Sequence, residues 1–202
     1  MTHITFVRHG ETDWNALGKI QGQTDIPLNE RGINQAFECG QELKKKSWDY
    51  LVTSPLKRAK QTAEIINQEL GLDLVEMDQF KEKYFGEAEG MKKEDRSKKF
   101  PDRIYPNQEP ARDLHDRIFG GLAVIQERYQ QKNVLVVAHG GVINAILSVL
   151  SNQKAGSGIT NLTNGSITTI HFKNGEWDIK QMNQIQHLTV YSNKGTFTTD
   201  VF

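Results

Sequence analysis

The chain has 202 residues, 37% of them apolar, a mean hydropathy of −0.59, and 25 basic residues against 25 acidic ones. That size fits one domain with a small insertion, and zero net charge leaves no global field to draw in nucleic acid or an anionic membrane surface. No run approaches the length of a membrane span, Met1-Thr2-His3 leads straight into a strand with no signal peptide, and the lone Cys39 cannot form an intrachain disulfide. A cytoplasmic protein with neither nucleic acid nor membrane as partner is the expectation.

Ile4-Thr5-Phe6-Val7 reads as a short buried strand that stops at Arg8-His9-Gly10, where glycine permits a sharp turn. A loop from Ala16 to Leu28 carries Gln21-Gly22 and Pro27, and a helix follows from about Glu30 to Lys46. Ile33, Phe37, Gly40 and Leu43 fall at helical spacing and define its expected inner face, with Cys39 as an ordinary packing residue. Tyr50 to Thr53 is the second strand. Ser54-Pro55 is expected to open the next helix, serine as N-cap and proline in the first turn, with Ala59, Thr62, Ala63, Ile66 and Leu70 facing inward. Leu72 to Met77 makes a third strand.

The stretch from Lys81 to Arg103 differs in kind. It is dense in both signs of charge, poor in large apolar residues, and punctuated by Gly86, Gly90 and Pro101. It reads as a surface lid or insertion, at about 81–110, within a single domain over 1–202. Arg112 to Gln131 is an amphipathic helix with Leu114, Ile118, Leu122, Ile125 and Tyr129 on one stripe. The strand Val134 to Ala138 and a helix from about Val142 to Leu150 complete a βα unit. After a polar loop, Asn152 to Gly165, two alternating segments flank Asn174-Gly175, a two-residue hairpin signal. The tail from Thr189 to Phe202 is polar with scattered aromatics and reads as a loose terminus or a partner contact.

Two strands thus end in histidine and glycine: Phe6-Val7-Arg8-His9-Gly10 and Val137-Ala138-His139-Gly140-Gly141. Both histidines should lie on the carboxyl edge of one parallel sheet, where ligands bind in open α/β folds. An arginine there suits a phosphate or carboxylate, since its planar fork donates two parallel hydrogen bonds.

Arg8-His9-Gly10-Glu11-Thr12 followed by Trp14-Asn15, with Thr53-Ser54-Pro55-Leu56-Lys57-Arg58 and Ala138-His139-Gly140-Gly141 further on, resembles the histidine phosphatase superfamily, the phosphoglycerate mutase-like group. The resemblance runs from about Ile4 to Asn164. It implies a three-layer α/β/α sandwich with a mostly parallel sheet, to which the alternating segments around Asn174-Gly175 add an antiparallel hairpin at the C-terminal end. It also implies metal-independent hydrolysis of a small-molecule phosphate ester through a phosphohistidine, with no cofactor.

Such hydrolysis needs a nucleophile at phosphorus, positive charge on the non-bridging oxygens and a proton for the leaving alcohol. By the resemblance His9 is the nucleophile, since a neutral imidazole attacks well near neutral pH. Arg8 and Arg58 hold the phosphoryl oxygens, Arg58 from the first turn of a helix whose N–H groups also favour an anion. His139 is the second imidazole, donating to the phosphate as a cation once it is bound, and Asn15 can add its amide. The acid falls on Glu82, aligned on Gly86 and Glu89-Gly90, which protonates the leaving oxygen and then deprotonates water. Gln21, Gly22 and Asn164 are further expected substrate contacts, though residues of these types also serve as turn formers.

Three rivals are weaker. A metal enzyme lacks ligand spacing, and two arginines in the site repel a cation. A cofactor-dependent phosphoglycerate mutase is the closer alternative. Its members carry a longer insertion with paired arginines, whereas only 57 positions separate Glu82 from His139 here and Arg96, Arg103 and Arg112 stand apart. A non-catalytic scaffold on this fold would have lost one of Arg8, His9, Arg58, Glu82 or His139. Oligomeric state is open, a homodimer being one possibility.

Overall fold

A computed structural model of the protein describes residues 1–190. The strands are β1 (Thr2–Arg8), β2 (Tyr50–Thr53), β3 (Leu74–Glu76), β4 (Asn133–Ala138), β5 (Ile167–Lys173) and β6 (Glu176–Gln184). They form one sheet in the order β3-β2-β4-β1-β5-β6. The first four strands in that order are parallel, while β5 runs antiparallel to β1 and β6 to β5. Asn174 and Gly175 both have positive φ, 55° and 89°, which gives the turn between β5 and β6 the twist that two-residue hairpins prefer. The mostly parallel α/β sheet with its C-terminal hairpin is therefore as expected.

The helices are α1 (Asp13–Ala16), α2 (Glu30–Leu43), α3 (Lys57–Leu70), α4 (Lys93–Lys99), α5 (Ala111–Arg128) and α6 (Gly140–Leu150). The central strands are buried on both faces and alternate between two cores. Ile4 and Phe6 of β1 and Val134, Val136 and Ala138 of β4 pack with Ile118, Leu122 and Ile125 of α5 and Val142, Ile143 and Ile146 of α6. On the opposite face Val7, Leu135 and Val137 pack with Cys39 and Leu43 of α2 and Ala59, Ala63 and Ile66 of α3. Each core joins one sheet face to one helix pair, which makes the three layers.

The inner face of α2 differs from expectation. Ile33 and Phe37 are 48% and 52% exposed, and the buried positions are Gly32, Gln35, Ala36, Cys39, Gly40 and Leu43. A close backbone approach fixes this rotation. A Cβ on Gly32 would lie 2.0 Å from the carbonyl oxygen of Glu11, and one on Gly10 would lie 2.3 Å from that of Gly32. Gln35 then accepts a hydrogen bond from the Glu11 amide at 2.9 Å. The two glycines dock α2 against the turn after β1, and the two large apolar side chains are left outside.

The start of α3 differs too. Its N-cap is Leu56, without a side-chain cap bond, and the amide of Lys57 donates instead to Asp25 Oδ1 at 2.7 Å. Ser54 lies before the helix, and its hydroxyl is engaged elsewhere. Within 81–110 the chain forms a short helical turn at Gly86–Ala88 and then α4. The reading of the tail falls outside the described residues beyond Val190; Thr189 itself donates its amide to Glu38 on α2 at 3.2 Å.

Candidate active site

Because β1 and β4 are parallel neighbours in register Arg8 to Ala138, the next residue of each strand, His9 and His139, leaves the sheet side by side. The His9 amide still donates to the Ala138 carbonyl at 3.0 Å. The two rings lie 5.2 Å apart, centroid to centroid, inclined at 56°.

His9 is 2% exposed, and its Nδ1 lies 2.7 Å from the carbonyl oxygen of Gly10. A carbonyl only accepts, so Nδ1 carries the proton and Nε2 is left with a lone pair. Burial, with Arg58 and Arg8 adding like charge, pushes the imidazole well below its usual pKa, outweighing the Gly10 hydrogen bond. The ring is neutral at pH 7. The turn is held from three sides. The Gly10 amide donates to Thr62 Oγ1 at 3.0 Å, whose hydroxyl donates to the Arg58 carbonyl at 2.7 Å, and Asn164 donates to the carbonyls of His9 and Gly10 at 2.9 and 3.3 Å.

His139 is wholly buried and is the N-cap of α6. Its Nε2 lies 2.8 Å from the hydroxyl of Ser54, which also accepts from the Leu56 amide at 3.3 Å. The Ser54 hydroxyl can give its proton to Nε2 or accept one from it. The Nδ1 of His139 is buried with no partner. Burial first, then the charges of Arg58 and Arg8 and the neighbouring His9, hold this imidazole well below its ordinary pKa, so it is neutral as the structure stands.

Two guanidinium groups flank the rings. Arg58, 1% exposed, donates from its terminal nitrogens to the carbonyls of Thr24 and Gly22 at 3.0 and 2.6 Å. Arg8 donates to the Leu162 carbonyl. The Nε of each is buried without a partner. Burial lowers the Arg8 pKa to about 10, with Glu82 opposing and Arg58 reinforcing, so both arginines keep their charge at neutral pH.

Glu82 is 9% exposed and accepts from the amides of Lys83 and Gly141 at 2.9 and 3.0 Å, through different oxygens. Gly141 lies in the first turn of α6, so the carboxylate caps the positive end of that helix. A Cβ at Gly141 would sit 2.3 Å from Glu82 Oε1, so the glycine makes room for the acid. Asn15 closes a capping box on α1: its Oδ1 accepts from the Thr12 amide at 3.1 Å, which leaves the NH2 as the group it can offer a ligand.

A cavity of about 450 Å³ is lined by Arg8, His9, Asn15, Gln21, Gly22, Arg58 and Glu82, together with Lys19, Phe85, Arg96, Asn144 and the Gly140-Gly141 pair. His139 sits behind His9, and Asn164 braces the His9-Gly10 turn through its carbonyls. All nine candidate residues thus meet at one end of the sheet, seven on the cavity wall and these two behind it. Three further residues have site roles that the sequence reading did not assign them. Ser54 is His139's partner and not a cap. Glu89 accepts the amides of Gln23, Thr24 and Phe85 at 2.9–3.0 Å and so shapes the loop that holds Arg58. Arg117 of α5 donates to the Glu82 carbonyl. Its position beside the Leu114–Ile118 stripe was the one available signal. Among the described residues no three His, Cys, Asp or Glu side chains are grouped to hold a metal ion, and no helix is long and apolar enough to cross a membrane.

An open α/β sheet whose adjacent parallel strands end in two imidazoles, faced by two guanidinium groups and one carboxyl, defines an enzyme of phosphate esters. The chain belongs to the histidine phosphatase superfamily (branch 1), whose family model matches residues 4–185, and it is a phosphomonoesterase. It is 52% identical over 189 residues to the uncharacterized phosphatase PhoE of Bacillus subtilis (strain 168), covering 94% of this chain and 98% of that one. It is 33% identical to the probable phosphoglycerate mutase GpmB of Salmonella choleraesuis (strain SC-B67), over 88% of each. A mutant phosphoserine phosphatase of Entamoeba histolytica in complex with phosphoserine superimposes with a TM-score of 0.82 at 31% identity, over 93% of this chain and all of that one.

Proposed function

We propose that the protein hydrolyses a small phosphorylated metabolite through a phosphohistidine on His9, with no metal or other cofactor. The observation that carries this reading is the His9 Nδ1 hydrogen bond to Gly10, which fixes the tautomer with Nε2 unprotonated. In the first step the Nε2 lone pair forms the N–P bond as the ester P–O bond breaks. Glu82, in its acid form, gives its proton to the departing alcohol oxygen. Arg8, Arg58 and Asn15 hold the non-bridging oxygens, and His139, the second imidazole, donates to them from its unpartnered Nδ1, as a cation once the phosphate is bound. In the second step Glu82 takes a proton from water, whose oxygen attacks phosphorus and frees His9. Gln21 and Gly22 shape the wall beside the phosphate, and Asn164 acts through the His9-Gly10 carbonyls it binds. Charge on the non-bridging oxygens is met by guanidinium groups, the role a metal fills elsewhere.

Transfer to water rather than to a second hydroxyl is supported by the short segment between Glu82 and His139, which carries no adjacent arginine pair. The chain is read as one domain with 81–110 as a charged insertion over the cavity, working in the cytoplasm, where a lone thiol stays reduced. The test is phosphate release from a panel of phosphomonoesters with EDTA present, alongside trapping of phosphoenzyme in an alkaline quench, where a phosphohistidine survives. Release that survives EDTA, with trapped label lost in His9→Ala, is expected. Substantial hydrolysis by His9→Ala would refute the mechanism. Conversion of 3-phosphoglycerate to its 2-isomer when 2,3-bisphosphoglycerate is added, with no release, would make the protein a mutase.

A further inference from the structure

The charged side chains on the cavity wall are Arg8, Arg58, Lys19 and Arg96 against the single carboxylate of Glu82. A phosphoryl group at His9 occupies Arg8 and Arg58, which come from the strand ends. Lys19 and Arg96 come from the segments that cover those ends, and they are surplus to that group. Arg96 is half-buried and donates from one terminal nitrogen to the Met91 carbonyl at 3.3 Å, while its Nε is buried with no partner. Lys19 has its Nζ 5.5 Å from the centre of the Trp14 ring. Neither is in an ion pair among the described residues. Of the acids in this segment, Glu89 accepts the loop amides and Glu87 pairs with Lys99 at 3.8 Å, while Glu94 and Asp95 lie in the first turn of α4 and do not line the cavity.

The backbone holds these two cations on one wall. Lys19 bridges Lys92, the Ile20 amide donates to the Met91 carbonyl at 3.1 Å, and the Gly90 amide returns a bond to the Ile20 carbonyl at 2.8 Å. Lys92 is the N-cap of α4, so this ladder sets the helix that carries Arg96 against the loop that carries Lys19. A half-buried guanidinium with an unmet N–H, facing a cavity already rich in cations, is costly unless an anion joins it.

We propose that Arg96 and Lys19 form a second anion subsite, which takes an acidic group (carboxylate or phosphate) on the alcohol part of the ester. The proposal rests on the phosphatase reading for the first subsite and adds that the substrate is acidic at both ends. Phe85 also lines the cavity and offers an apolar surface to the carbon chain.

The test is calorimetric binding in a His9→Ala background, where no turnover intervenes, using two matched pairs. 3-Phosphoglycerate differs from glycerol 3-phosphate by one carboxylate, and fructose 1,6-bisphosphate from fructose 6-phosphate by one phosphate. The acidic member of at least one pair should bind about tenfold to a hundredfold more tightly, the range of a charge-assisted contact. Whichever pair shows the preference identifies the anion. Adding Arg96→Gln should collapse that ratio, and Arg96→Lys should keep part of it. Equal binding within both pairs, or a ratio unmoved by Arg96→Gln, would overturn the subsite. The phosphatase reading fails separately: His9-intact protein that shows the binding preference yet releases no phosphate would keep the subsite and lose the activity.

Discussion

Arg117 donates to the carbonyl oxygen of Glu82 at 3.1 Å, and every other donor it has is also engaged. The carbonyls of Gln79 and Lys81 take the second terminal nitrogen at 2.8 and 2.7 Å, and Glu109 accepts from Nε and the first at 2.6 and 3.0 Å. One guanidinium on α5 thus fixes three carbonyls of the segment that delivers the proposed acid. Gly121, one turn further along α5, lets that segment approach, since a Cβ there would lie 2.8 Å from that of Gln79.

Arg117 is therefore expected to act as a positioning residue for Glu82. Arg117→Lys keeps the charge but not the fork, and should lower kcat/KM for an alkyl phosphate about tenfold to a hundredfold, a fraction of what general acid catalysis contributes. p-Nitrophenyl phosphate, whose leaving group needs no proton, should suffer far less. Arg117→Met also strands the Glu109 carboxylate, 12% exposed, and should destabilise the fold by about 2–4 kcal/mol in urea melts. Equal losses of kcat/KM, which covers only the steps up to departure of the alcohol, on both esters would show that Arg117 does not act through the proton that Glu82 gives the leaving group.

The depressed pKa values of His9 and His139 make a pH prediction whose sign is fixed. Burial and the cations Arg58 and Arg8 disfavour the imidazolium in the folded protein. As pH falls below about 6.5, the unfolded chain takes up protons that the folded one refuses, so stability drops by roughly 1.4 kcal/mol per pH unit for each such histidine. The loss continues until the lowered folded pKa is reached, and above the unfolded value the contribution is complete. Urea midpoints at about pH 7 and pH 5.5 should therefore differ markedly. A midpoint that does not move would refute it. Activity should behave in parallel: His9 stays a free base well below pH 6.5, and the acid limb of kcat/KM should lie there. In Arg58→Gln the residual activity should show that limb shifted upward, because a cation that opposes protonation is gone.

The sheet and the pairing of His9 with His139 were legible because strand pattern and topology suffice for both: two buried strands, parallel and adjacent, each ending in histidine. The rotation of α2 was not legible, because apolar periodicity pointed to Ile33 and Phe37 while the deciding contact is the backbone of Gly32 against Glu11. Ser54 misled for a related reason. Ser-Pro before a helix is a capping signal, but the hydroxyl is wanted by an imidazole 85 positions away in sequence. Glu89 served only to align Glu82 within a charged stretch, and only the fold of the loop against it reveals four donors converging on one carboxylate. What periodicity cannot carry is contact between residues distant in sequence.

The loop that positions Arg58 offers the last test. Gly22 has φ of 55°, and a Cβ there would fall 1.8 Å from Glu89 Oε1. Gly22→Ala therefore meets strain and a clash together, and the carboxylate must leave the Gln23 and Thr24 amides it binds. Because Arg58 donates to the carbonyls of Gly22 and Thr24, the guanidinium loses its anchor as the loop shifts. A destabilisation of about 1–3 kcal/mol is expected from the strained backbone and the unsatisfied buried groups. The rise in KM for a phosphate ester should be larger than the folding defect accounts for, measured where the variant is still fully folded. Glu89→Ala removes the clash partner and the anchor at once. The Gly22→Ala/Glu89→Ala double variant should then lose only the backbone strain beyond Glu89→Ala, less than the sum of the single losses, and additive losses would show that the two residues act independently.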